Sequence, residues 1–179
     1  MTKATAFLRQ ARSDFAAFLH LAAQDRTVIP ECHPLLHLQM AAEKLAKAAY
    51  VAAGATFDPH SHVAFSRFPQ FLSRRDVAQA LGYANFREFH GVLRRLAPLF
   101  RQIDELNPSV GLQTPGGGAT EGPNVEYPWE ARGEDGQPLW VVPAEHDFLL
   151  LDKLFRRGDA SRMLALIRRL LDRFDEIFS

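Results

Sequence analysis

The chain has 179 residues, 47% of them hydrophobic and 23% charged, which supplies one sizeable core and matches ordinary globular composition. Lysine plus arginine equals aspartate plus glutamate, 21 against 21, so no global field draws the chain toward nucleic acid or a membrane surface. The single cysteine excludes an intrachain disulfide and fits a reducing compartment.

At the N-terminus, MTKATAFLRQARSDF carries charges where a secretory segment needs an apolar core. No later run approaches the roughly 18 apolar residues of a membrane span. The expectation is a cytoplasmic, soluble chain with one domain over residues 1–179 and no membrane contact. Phe7, Ala11, Phe15, Phe18 and Ala22 recur at steps of three and four, which predicts a helix over about 4–24. Leu35, Leu38, Ala42, Leu45, Ala49 and Ala52 repeat that spacing up to Gly54, and Pro34 suits a first helical position. This second helix, residues 34–53, should lie antiparallel on the first because the connection is short.

A short helix is expected near 63–68, and a second opens with Ser73 and Asp76 and stops at Gly82. Asn85 with Glu88 forms a capping box for a helix carrying Phe86, Phe89, Val92, Leu93, Leu96, Phe100 and Ile103. Pro98 lies inside it and should kink it; Asn107-Pro108 should end it. From about 109 to 143 the glycine-rich GLQTPGGGATEGP and the Asp135-Gly136 turn signal predict a loop excursion bearing a small β-hairpin. Two helices follow, over about 145–155 and 160–178, with Asp159 capping the second and Leu164, Ile167, Leu171, Phe174 and Phe178 on its buried face. The fold class is therefore all-α, an up-and-down bundle of four to six helices with a β-hairpin in a long loop.

Chemistry-bearing residues concentrate on the second helix. His33 and His37 are four apart beside Cys32, a spacing able to place two imidazoles on one metal. Pro34 makes His33 a cap or turn residue, and neither a zinc-protease glutamate nor a second cysteine accompanies them, so capping and packing are expected, with no metal and no cofactor. Glu43 and Lys47 stand at the favourable acid-before-base spacing, which periodicity alone reads as a solvated pair. Arg87, Arg94 and Arg101 repeat every seven residues and form a stripe of phosphate-contact candidates; a compositional excess of arginine over lysine accounts for the same pattern. Tyr127, Trp129 and Trp140 either stack on a ligand or pin the excursion to the bundle, and pinning is favoured.

QMAAEKLAKAAYVAAG followed by DPHSHVAF resembles the HEPN domain family, in which a helix of the form A-x-E-K-x-x-K-A leads through glycine to a histidine opening the next helix. ARSDFAAFLHLAAQ is similar to that family's first helix, and NVEYPW stands where it often carries a Tyr-Pro segment. The resemblance covers residues 4–70 and, loosely, the rest. It implies a dimeric bundle of four or five helices. Some members cleave RNA, and others bind partners such as nucleotidyltransferases in toxin–antitoxin or defence settings. It groups Lys44, Lys47, His62 and Tyr127 as ligand-binding residues. The family's nucleases carry Arg, four to six residues, then His on a late helix, and no late arginine here is so followed. Arg26 and His33 have six residues between them but lie in the first interhelical turn, which leaves them the weak catalytic candidates. The expected function is a non-catalytic module binding a nucleotide, RNA or protein partner; the alternative is a metal-independent ribonuclease toxin using an atypical histidine.

Overall fold

The computed structural model describes residues 1–56, 64–106, 124–132 and 136–178. Helix α1 (Lys3–Ala22) starts at Thr2, whose hydroxyl accepts the Thr5 N–H at 3.1 Å, satisfying one of the donors that a helix start leaves open. Helix α2 (Cys32–Ala52) begins two residues earlier than expected, so Pro34 occupies its third position. A first-turn N–H has no intrahelical partner, and proline is tolerated there as well. The start of α1 and the end of α2 line one groove, Thr5 and Leu8 against Val51 and Ala52, as an antiparallel pair requires. Phe15, Phe18, Leu35, Leu38 and Leu45 are buried, and Phe7 is partly buried against them. Each such apolar side chain contributes about 1.5–3 kcal/mol by leaving water.

Two short helices follow, α3 (Phe68–Leu72) and α4 (Arg75–Ala80), preceded by a turn over 64–67. The cap of α4 is Arg74, which pairs with Asp76, and Ser73 is not its cap. Gly82 takes φ +74° beyond α4, a conformation that side chains resist. Helix α5 (Phe86–Asp104) opens where Asn85 Oδ1 accepts the Glu88 N–H at 2.8 Å and runs through Pro98 without a break. It packs on α2, α3, α4 and, later in the chain, α7. Phe65 against Phe100, with ring centroids 4.5 Å apart, ties the 64–67 turn to α5.

The hairpin is β1 (Trp129–Arg132) paired antiparallel with β2 (Pro138–Val141), Glu130 opposite Trp140. Trp129 is buried and packs edge-on against His146 at 5.0 Å, whereas Trp140 is 68% and Tyr127 56% exposed. Of the three aromatics expected to pin the excursion, Trp129 alone has the burial for it.

The C-terminal region departs from expectation twice. The helix expected from 145 is a 3-10 turn at Pro143–Glu145, then a non-helical stretch in which Leu149 takes φ +50°, then α6 (Leu150–Phe155). Buried Glu31 accepts the Phe148 N–H at 3.2 Å, a long-range bond that ties the non-helical 146–149 stretch to the start of α2. The last helix is split into α7 (Asp159–Asp172) and α8 (Phe174–Phe178). Arg12 donates from Nε and Nη2 to the Leu171 carbonyl at 3.2 and 2.7 Å, taking the acceptor that a continuous helix would use. Asp159 is the first residue of α7 and Gly158 its cap, closed by Ser161. Leu164 is only partly buried, and Leu166 takes its place in the core. No helix among the described residues is long and apolar enough to cross a membrane.

Candidate functional site

Several polar residues of α2 are wholly or partly enclosed, Gln39 and Lys47 most of all. Lys47 is 4% exposed and donates to Glu43 at 2.6 Å, and Gln39 donates to the other Glu43 oxygen at 3.0 Å. Lys44 donates to Asp14 of α1 at 2.7 Å, Gln10 reaches the same carboxylate at 3.1 Å, and His37 Nδ1 lies 3.9 Å from it. The Glu43–Lys47 pair is therefore not the solvated pair that spacing predicts. Ala41, Ala42, Ala46, Ala48 and Ala49 are all fully buried; side chains this small bring neighbouring elements close and enclose the polar stripe between them. Cys32 packs in the core, with its thiol pushed up by burial, and His33 is exposed in the first turn of α2.

Of Lys44, Lys47, His62 and Tyr127, the described residues include Lys44, Lys47 and Tyr127. Lys44 is committed to Asp14 and Lys47 to Glu43, Tyr127 offers no side-chain bond among the described residues, and His62 and His60 lie outside them. Arg26 pairs with both Glu31 and Asp152, bolting the α1–α2 connection to α6, and lowers the carboxyl of Asp152 chiefly by that hydrogen bond. Among the described residues, Arg26 meets only the carboxylates of Glu31 and Asp152, and His33 has no ion pair.

Sequence reasoning missed Asp104 altogether. It is 1% exposed at the end of α5, and one oxygen accepts the Ser66 N–H at 2.6 Å while the other has no hydrogen-bond partner among the described residues. Burial, reinforced by Glu43, raises its carboxyl to about 7 against the bonds from Ser66. Nearby Tyr50 is pushed up to about 12, mainly by burial and then by Asp104. Its hydroxyl donates to the Ala64 carbonyl at 3.1 Å. A polar residue closing an otherwise apolar helix stripe was the available signal.

A groove of about 610 Å³ lies between α5 and α7. Arg87, Gly91 and Arg95 form one wall as a four-residue ridge of α5, and Arg162, Ala165 and Arg169 form the other on α7. Val92 and Leu166 make the floor, and Glu88 and Tyr83 complete the lining. Arg169 donates to the Leu81 carbonyl and stands 5.9 Å over the Tyr83 ring; Arg162 pairs with Asp159 at 3.2 Å. Arg87 and Arg95 form no ion pair among the described residues. Exposed guanidiniums over an apolar floor are suited to bidentate contact with carboxylate or phosphate.

Of the predicted stripe, Arg87 alone enters this groove. Arg94 is exposed elsewhere on α5, and Arg101 pairs with Glu105 at 2.7 Å. A seven-residue repeat marks the outward face of α5, whereas the flank that meets α7 follows the four-residue row. No family model, curated protein or solved structure matches the chain.

Proposed function

We propose that the chain is a non-catalytic HEPN-like module that binds an anionic partner in the α5–α7 groove. Convergence of Arg87, Arg95, Arg162 and Arg169 from two helices onto one cleft carries this reading. The ligand class spans a nucleotide, RNA or the acidic surface of a protein, a nucleotidyltransferase included. The HEPN component is supported by α2, whose Glu43, Lys44 and Lys47 stand on a helix paired with α1. No observation favours the ribonuclease alternative, because Arg26 is committed to two carboxylates.

Replacing Arg87 and Arg95 together by alanine is expected to weaken binding of a single-stranded oligonucleotide or an acidic peptide by at least about tenfold. Both residues are exposed, so the melting temperature should stay within about 2 °C. Unchanged affinity in anisotropy titrations would remove the groove from the proposal. The resemblance also leads us to propose a homodimer: light scattering at micromolar concentration should give about twice 20.1 kDa, and a monomer there would count against it.

A further inference from the structure

We propose that the occupant of the α5–α7 groove is an acidic amphipathic helix of a partner protein; this rests on the anion-binding reading above and narrows it. Three observations separate such a peptide from a nucleic-acid strand. The first is the apolar lining, where Val92 and Ala165 are accessible beside buried Leu166, and a side chain built at Gly91 on the α5 wall would meet nothing within 4 Å. This open notch takes the apolar face of a helix, which gains from leaving water, whereas a sugar–phosphate backbone gains little there.

The second is Tyr83, the one aromatic ring lining the cleft among the described residues. Arg169 lies over it at 5.9 Å and Phe89 abuts it at 4.8 Å. Nucleobases bind non-specifically by stacking on open aromatic faces, and this ring is already engaged. The third is charge spacing. Arg87 and Arg95 are eight residues apart on α5, and Arg162 and Arg169 seven apart on α7, giving two rims whose charges are about 10–12 Å apart. Carboxylates two turns apart on a docked helix repeat at the same distance. Glu88 interrupts the positive lining; a peptide can set a neutral or basic residue opposite it, whereas a strand with a phosphate at every step cannot avoid it.

The probe is a fluorescein-labelled synthetic peptide of about 15 residues, long enough for measurable helicity. It carries leucines on one face and glutamates two turns apart on both flanks. A scrambled peptide of the same composition and a single-stranded oligonucleotide serve as comparators. Wild type should bind the amphipathic peptide at least about tenfold more tightly than the scrambled one. Gly91→Leu fills the notch and should weaken the amphipathic peptide by about tenfold. Gly91 lies in the helical region with open space around it, so this variant should fold, and circular dichroism checks that it does. Equal binding of both peptides, tighter binding of the oligonucleotide, or indifference to Gly91→Leu would overturn the helix proposal while leaving an anion groove. Binding of neither peptide nor oligonucleotide would overturn both.

Discussion

Replacing Asp104 by asparagine is expected to stabilise the protein at pH 8 by roughly 4 kcal/mol and to leave it nearly unchanged at about pH 3, below the unfolded value. The carboxyl is 1% exposed, and burial, with Glu43 nearby, holds its folded-state value at about 7 against the ordinary 3.8. The folded state therefore binds this proton more tightly than the unfolded chain. The stability so conferred is fully present below the unfolded value and is lost as pH rises through about 7. Asparagine keeps an acceptor for the Ser66 N–H and carries no charge to desolvate, so its profile across this window should be flat. At 2–4 °C per kcal/mol the melting temperature at pH 8 should rise by roughly 10 °C. Parallel pH profiles for wild type and variant would show that Asp104 is not the titrating group.

Glu31→Ala should loosen the C-terminal region from the α1–α2 connection, costing about 2–4 kcal/mol. The side chain is buried and accepts the N–H of Phe148, itself 7% exposed, while pairing with Arg26. Truncation leaves a buried amide without its acceptor and leaves Arg26 with Asp152 alone of its two carboxylates. Native-state hydrogen exchange should show faster exchange at Phe148, and Glu31→Gln, which retains an acceptor, should recover part of the loss. A cost below about 0.5 kcal/mol, typical of an ordinary surface site, would mean that the non-helical 146–149 segment is held by something other than Glu31.

How much the sequence disclosed depended on how local the cause was. Helices α1, α2 and α5 were legible because three-four apolar spacing extends over several turns and Asn85 supplies its cap within three residues. The β-hairpin was legible from turn chemistry. The late start of α6 and the break before α8 were not, since each goes with a contact made across the fold, Glu31 to Phe148 and Arg12 to Leu171. The burial of Glu43 and Lys47 was hidden for a related reason: charged spacing looks the same on a wet face and on a face enclosed by alanine-lined packing. The arginine stripe showed that α5 carries positive charge, and it named Arg87. Selecting Arg95 over Arg94 required knowing which flank meets α7, and Arg162 and Arg169 came from a helix distant in sequence.

The central claim is that anions bind between α5 and α7 and not at the polar stripe of α2. Its most direct test is NMR mapping of the wild-type protein, following backbone amides and arginine Nε–H signals during titration with the acidic peptide and, separately, the oligonucleotide. At least one of the two should shift Gly91 and the side chains of Arg87, Arg95 and Arg169 first and furthest, with the amides around Lys44 and Lys47 unmoved. Shifts centred on Lys44 and Lys47 with a silent groove, or no localised shifts with either probe, would contradict the account.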